Sequence, residues 1–138
     1  MFGVIVCTHS NLAAGLRDAV EMIMQKQEAF QVVGFQEGDN LEELSKELGA
    51  LVRKNQGAGL RTIVAVDLFG ATPFNASAIA LAEEDAQVLT GVNLPMLLEL
   101  FSRREDSDGS DLEEIADEIA QMGKAGIKAV KMREMFHK

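Results

Sequence analysis

The sequence predicts an α/β protein built on an open, mostly parallel, doubly wound sheet with helices on both faces. Two observations predict this class. Short apolar runs of strand length alternate along the chain with segments whose apolar residues recur at helical spacing. Strands joined by crossover helices are expected to be parallel, and four such units suit the strand order 2-1-3-4. A length of 138 residues predicts one domain over 1–138.

The first strand–helix unit begins at the amino terminus. The apolar run 2–7 predicts a strand, and 12–27 predict a helix capped by Ser10 or Asn11, residue types that accept hydrogen bonds from a first helical turn. One face of this helix carries its apolar residues, which are Leu12, Leu16, Ala19, Val20, Ile23 and Met24.

The second unit has a clear helix start. Residues 30–35 predict a strand, and Asn40 with Glu43 three residues later is typical of a capped helix. The helical face expected to point inward carries Leu41, Leu44, Leu48, Leu51 and Val52.

The remaining elements follow the same alternation. We expect a strand over 62–68, a helix over 73–83, a strand over 86–92 and a helix over 94–101. After the polar loop 103–111, the last helix is expected to begin at Ser110, paired with Glu113, and to end near Met122. A fifth strand is expected over 127–132, in the sequence IKAVKM.

Composition excludes several classes of function. The formal net charge of −9 opposes nucleic acid or anionic lipid as the main partner, because both need clustered Lys and Arg. The negative charge would instead attract a protein partner with a basic surface. Cys7 is the single cysteine and cannot form an intramolecular disulfide, and the first residues do not resemble a signal peptide, so we expect a cytoplasmic protein.

Two residues at strand ends form the candidate site. His9 follows the first strand and Asp67 ends the third, and neighbouring strands lie about 4.8 Å apart, so the two side chains can meet. A carboxylate on one imidazole nitrogen fixes the tautomer and leaves the other nitrogen free to attack. His9 could also be a polar rim residue, and Asp67 could merely cap the next turn. Their expected proximity favours a nucleophile held by a carboxylate.

Helix starts beside this pair predict an anion site. A helix that begins directly after His9 directs unpaired N–H groups towards whatever the imidazole binds. A second helix starts after the loop GATPFN, where Gly70 permits close approach, Thr72 offers a hydroxyl and Pro73 suits a first helical turn. These features suit a phosphoryl group.

The distribution of cations argues against nucleotide hydrolysis. No Lys or Arg occurs from Thr62 through Ser102, and no GxxxxGK[ST] motif occurs in the chain. A carrier that must release its phosphoryl group is better served by helix dipoles than by strong cations. We therefore expect neither a metal nor an organic cofactor.

Three motifs carry a resemblance to a known family. THS at 8–10, VDLFGATPFNA at 66–76 and GVNLPM at 91–96 resemble the mannose-family IIA component of the bacterial sugar phosphotransferase system (PTS). The resemblance implies that His9 accepts a phosphoryl group from the histidine phosphocarrier protein HPr, forming a covalent phosphohistidine, and passes it to a IIB domain or subunit. It also implies that Asp67 is the carboxylate partner of His9.

The same resemblance implies further site residues and an assembly. Thr72 and Ser10 would contact the phosphoryl group, and Phe69, Gly70 and Asn93 would line the site. The chain would form a homodimer in which the carboxyl-terminal strand 127–132 pairs with the partner's sheet, and it would reach the membrane only indirectly, through IIC and IID components. The family often has a second glycine at the position of Ala71. A positive φ there would strain the loop.

Two alternatives remain open at this point. The same domain type can serve a PTS-dependent dihydroxyacetone kinase, whose motifs are similar. From another class, a non-catalytic flavodoxin-like module would bind an anion or nucleotide without forming covalent phosphate. Cys7 is expected to be a buried small apolar residue rather than a second nucleophile, and His137, in a basic tail, is assigned no role.

Overall fold

In a computed structural model that describes residues 1–136, strands and helices alternate as predicted from β1 to α4, and two further helices follow. The strands are β1 (Gly3–His9), β2 (Phe30–Phe35), β3 (Thr62–Val66) and β4 (Ala86–Leu89). The helices are α1 (Leu12–Met24), α2 (Leu41–Gly57), α3 (Thr72–Leu81), α4 (Leu94–Arg104), α5 (Leu112–Ala125) and α6 (Met132–Phe136). His137 lies outside the described residues.

The strands form one parallel sheet in the order β2-β1-β3-β4. The predicted fold class and strand order are therefore confirmed. The chain winds outward from β1 to β2 in one direction and from β3 to β4 in the other, so the winding reverses between β1 and β3. Ligands of such sheets bind at this reversal, beyond the carboxyl ends of the strands.

Helices cover both faces of the sheet. Because successive strand residues point to opposite sides, each central strand contributes side chains to two separate cores. Val4 and Val6 belong to a core packed against α1, α4 and α5. Ile5 and Cys7 belong to a second core packed against α2 and α3. Burial on both faces explains why β1 and β3 are continuous apolar runs rather than alternating ones.

Several element boundaries differ from the predicted ones. β1 continues to His9 because it stays paired with β2 up to the register pair of His9 with Phe35. β3 ends at Val66, so Asp67 is the first residue after the strand. Asp111, rather than Ser110, occupies the cap position of α5, although its side chain makes no capping bond, and the Ser110 hydroxyl donates to the Asp108 side chain at 2.6 Å.

Helix α1 is less buried than its pattern predicts. Leu12 and Ile23 are 48% and 56% exposed, whereas Ala13 and Val20 are buried. The helix therefore presents some apolar surface to solvent, beginning beside His9.

Residues 127–136, the described part of the carboxyl-terminal segment, form no strand. Residues 127–131 have no regular secondary structure, and Met132 begins the short helix α6. Of the apolar side chains here, Ile127 is 79% and Phe136 73% exposed. The predicted fifth strand is thus not an intrachain element, and its pairing with a second copy stays a prediction.

No helix within residues 1–136 combines the length and the apolar character that crossing a membrane requires.

Candidate functional site

His9 and Asp67 meet beyond the carboxyl ends of β1 and β3, the two central strands between which the winding reverses. Nδ1 of His9 lies 2.8 Å from Oδ2 of Asp67. The backbone N–H of His9 donates to the same carboxylate oxygen at 3.1 Å. The two side chains that the sequence brought together are therefore in direct contact, and the bond to the backbone fixes the carboxylate against the strand end itself.

The second oxygen of Asp67 is also engaged. Oδ1 accepts the backbone N–H of Leu68 at 3.0 Å. Asp67 therefore also caps the following turn, the alternative role that the sequence analysis gave for this residue. Burial acts to raise the pKa of Asp67, but the hydrogen bonds and charge of His9, with one further backbone bond, together leave the pKa below its usual value. Asp67 is thus a carboxylate at neutral pH and can only accept hydrogen bonds.

This contact determines which ring nitrogen of His9 is free. Because the carboxylate accepts, the neutral ring carries its proton on Nδ1 and keeps a lone pair on Nε2. The His9 side chain is 43% exposed, compared with 13% for Asp67. The Phe35 ring stands edge-on to the imidazole, with centroids 6.2 Å apart. The site therefore offers an accessible, oriented nucleophile.

The turn from β1 into α1 is held by backbone contacts. Ser10 has a left-handed backbone, with φ of 51°, and its N–H donates to the Phe35 carbonyl at 2.8 Å. Asn11 occupies the cap position of α1 as expected, but its side chain makes no capping bond. Instead the buried hydroxyl of Thr8 accepts the N–H of Ala13 at 2.8 Å.

The loop between Asp67 and α3 has the conformation that its glycine permits. Gly70 has φ of +80°, a region that glycine adopts without strain. Ala71 has φ of −87° and an extended backbone, so the second position needs no glycine and the anticipated strain is absent. Thr72 is the half-buried first residue of α3, one position earlier than predicted, and its first-turn N–H groups lack intrahelical partners.

Aromatic and aliphatic side chains lie next to this loop. Phe69 is 78% and Leu68 58% exposed. The Phe69 ring packs on the Phe74 ring, with centroids 4.7 Å apart. Phe69 is therefore largely exposed two residues after Asp67, and its lining role in the site stays a prediction.

Asn93 has a different set of contacts. Its side-chain oxygen accepts the N–H of Met96 at 2.9 Å and caps α4, while its amide nitrogen donates to the Gly123 carbonyl at 3.0 Å. Within the described chain it makes no hydrogen bond to His9, Asp67 or Thr72. These contacts tie α4 to α5, and a lining role for Asn93 in the site stays a prediction.

Cys7 lies near the pair but is chemically inert. It is fully buried in the core against α2 and α3, as its strand position predicts. Burial, with smaller effects from the charges of Asp67 and Glu47, raises the pKa of the thiol to about 12. Cys7 is therefore a neutral thiol at physiological pH and not a second nucleophile.

Comparison with known proteins places the chain in a family. The model of the family EIIA-man, described as PTS system fructose IIA component, matches residues 3–120. The chain belongs to the EIIA-man family.

Relatives agree in sequence and in fold. The mannose-specific EIIAB component of Escherichia coli (strain K12) is 33% identical over 132 residues, which are 94% of this chain and 40% of that protein. The chain thus spans less than half the length of this relative. The fructose-specific EIIA component of Bacillus subtilis (strain 168) is 32% identical over 81% of this chain and 77% of its own length. The crystal structure of an EIIA component from Streptococcus agalactiae superposes with a TM-score of 0.84 at 27% identity, covering 97% and 99% of the two chains.

In this EIIA-man member, sequence reasoning found the central pair but missed two neighbours. The hydroxyl of Thr8 caps α1 from a buried strand position, and its presence in the THS motif was the available signal. Gly34 lies against the carbonyl of Ser10, and nothing local in the sequence marks that contact. Among residues 1–136, no group of three or more His, Cys, Asp or Glu side chains is arranged to hold a metal ion.

Proposed function

We propose that this chain is a phosphoryl carrier of a sugar PTS, taking a phosphoryl group from phosphorylated HPr onto His9 and giving it to a IIB domain or subunit. The observation that carries the proposal is the 2.8 Å contact between Nδ1 of His9 and Oδ2 of Asp67, at the point where the winding of the sheet reverses. It makes Nε2 the reactive nitrogen and leaves a carboxylate to stabilise the charged ring.

The transfer needs no co-reactant. The lone pair of His9 Nε2 forms the new N–P bond as the N–P bond to the donor histidine breaks, and the donor ring recovers that electron pair. The proton on Nδ1 stays between the ring and Asp67, whose negative charge stabilises the cationic phosphorylated ring. Release to the IIB acceptor is the same exchange with the roles of nucleophile and leaving group reversed.

Helix ends and polar groups around the pair would stabilise charge on the phosphoryl oxygens. The start of α3 supplies first-turn N–H groups and the Thr72 hydroxyl, and Gly70 keeps the loop backbone accessible. Ser10 has an exposed side chain immediately after His9. The N–H of Ala13 is already taken by Thr8, and Pro73 has no N–H, so each helix start can offer only its remaining first-turn N–H groups.

Charge and relatives support the choice of partners. A net charge of −9 favours approach of a protein partner that presents a basic surface. Similar proteins are named for mannose, sorbose and fructose, which favours a sugar system over the dihydroxyacetone kinase alternative. The carrier would work in the cytoplasm and reach the membrane only through IIC and IID components.

A homodimer is part of the proposal. β4 ends the sheet, and the strand at a sheet edge has unpaired backbone groups. A cavity of about 480 Å³ lies between β4 and α5, with Gln87, Asp117 and Ile127 among its lining residues. Next to it the apolar side chains of the carboxyl-terminal segment are exposed. Insertion of residues 127–132 of a second copy along β4 would bury both surfaces.

Phosphorylation by HPr tests the proposal. Incubation with phosphorylated HPr should raise the intact mass by one PO₃ unit, in a form labile to acid and stable to base. A His9→Ala variant should remain unlabelled. Tight binding of a nucleotide or flavin without covalent phosphate would favour the flavodoxin-like alternative instead.

A further inference from the structure

Gly34 on β2 contacts the turn that carries His9. A Cβ built on Gly34 would lie closer than 3.0 Å to the carbonyl oxygen of Ser10, a separation that real Cβ atoms essentially never show, and 3.4 Å from the carbonyl carbon. The Ser10 atoms belong to the backbone and cannot rotate away, whereas Nε2 of Gln36, at 3.1 Å, is the end of a side chain that can move. Any side chain at position 34 must therefore displace the chain at Ser10.

The Ser10 backbone has little freedom to absorb that displacement. Its N–H is bonded to the Phe35 carbonyl at 2.8 Å, and its φ of 51° lies in the small left-handed region open to L residues. Two residues before it, the Thr8 hydroxyl holds the first turn of α1 through Ala13. A shift at Ser10 is consequently transmitted to the residue between these anchors, which is His9.

His9 depends on its exact place because two of its groups share one acceptor atom. The ring Nδ1 and the backbone N–H both bond to Oδ2 of Asp67, at 2.8 and 3.1 Å. A rotation of the His9 backbone would lengthen one of these bonds even if the other survived. Loss of the ring bond would let the proton move to Nε2 and remove the nucleophilic lone pair.

We propose that Gly34 is a positioning residue for His9: the absence of a side chain at position 34 lets the Ser10 carbonyl pack on β2 and so keeps His9 Nδ1 on Asp67. The kinetic consequence rests on the proposed function, whereas the effect on the tautomer of His9 does not. Other glycines provide a contrast, since a Cβ on Gly57 of α2 meets nothing within 4 Å.

Gly34→Ala, with Gly57→Ala as its matched control, tests the proposal. Long-range proton–nitrogen NMR correlations report the His9 tautomer in the unphosphorylated protein, and labelling from phosphorylated HPr reports transfer. In Gly34→Ala we expect a large loss of the Nδ1–H tautomer and transfer slowed by about 100-fold, the scale that a displacement of about 1 Å can cost. Gly57→Ala should retain the tautomer and the rate of the parent protein.

A rescue variant separates positioning from general destabilisation. Glycine at position 10 adopts backbone angles closed to serine, so Gly34→Ala combined with Ser10→Gly should recover the Nδ1–H tautomer relative to Gly34→Ala alone. If Gly34→Ala does not fold, recovery of folding in the double variant supports the proposal, and an equally unfolded double variant overturns it.

Other outcomes are equally decisive. A Gly34→Ala protein that folds and keeps the parent tautomer overturns the proposal, whatever its transfer rate. Absence of label on the parent protein would defeat the phosphoryl-carrier function, while the tautomer comparison would still decide the role of Gly34.

Discussion

Oδ2 of Asp67 accepts two hydrogen bonds from His9, one from the ring and one from the backbone, although 58 positions separate the two residues. Parallel pairing of β1 with β3 produces this contact by placing the two strand ends side by side. The carboxylate can therefore fix the position of the histidine as well as the tautomer of its ring.

Removing the charge of Asp67 should slow transfer without unfolding the protein. Asp67→Asn keeps an oxygen that can accept the His9 bonds but cannot stabilise a cationic ring. We expect a rate of labelling from phosphorylated HPr lower by about 100-fold, the lower end of the range for a positioned proton-transfer partner. Rapid-quench labelling measures the rate, and Asp108→Asn, in a loop outside the site, is the control. Equal rates for Asp67→Asn and the parent protein would exclude Asp67 from the mechanism.

The pKa of Asp67 should depend on His9. Burial is the largest single effect and raises that pKa, but the hydrogen bonds and charge of His9, with one further backbone bond, together leave it lowered. His9→Ala removes the ring bond and keeps the burial, so we expect the pKa of Asp67 to rise, as measured by carboxyl NMR titration. Asp108, whose pKa is lowered by Ser110, should titrate identically in both proteins.

The lowered pKa of Asp67 also makes the stability of the fold depend on pH. Because the folded pKa of Asp67 lies below its unfolded value, the pair stabilises the fold above the unfolded pKa, and this contribution is lost as the pH falls through the folded pKa. The stability difference between the parent protein and His9→Ala should therefore shrink on acidification. A pKa of Asp67 unchanged by His9→Ala would contradict both expectations.

The buried hydroxyl of Thr8 should contribute measurably to stability. In Thr8→Val the N–H of Ala13 loses its acceptor inside the protein, which costs about 1–3 kcal/mol in the free energy of unfolding. Thr8→Ser retains the hydroxyl and is the matched control. Urea unfolding curves measure the difference, and a Thr8→Val protein as stable as the parent protein would show that the bond contributes nothing.

Deleting residues 127–138 should yield a monomer. These residues carry the exposed apolar side chains proposed to pair with β4 of a second copy. Light scattering coupled to size-exclusion chromatography should give a dimer for the full chain and a monomer for the truncated one. A full chain that is monomeric at high concentration, or a truncated chain that remains dimeric, would refute the proposed strand exchange.

The sequence was informative where short-range patterns and topology combine. Alternating units predicted the strand order, and that order placed the ends of β1 and β3 together, so the contact of His9 with Asp67 could be inferred before any coordinates. The cap of α2 was equally accessible, since Asn40 accepts the Glu43 N–H at 2.8 Å as its spacing predicts.

Features that depend on tertiary contacts could not be read in this way. Gly34 is needed because of a carbonyl in another strand–helix turn, and no local spacing encodes that approach. Thr8 caps α1 from inside a strand, whereas capping rules direct attention to the residues beside the helix. Residues 127–132 have a strand-like composition, but no strand among residues 1–136 pairs with them.

The most direct test of the account is the site of covalent phosphate after exposure to phosphorylated HPr. Peptide mapping under conditions that preserve phosphohistidine should place one phosphoryl group on His9, and NMR of the labelled protein should place it on Nε2. His9→Ala should carry none. Phosphate on another residue, or full labelling of His9→Ala, would contradict the account.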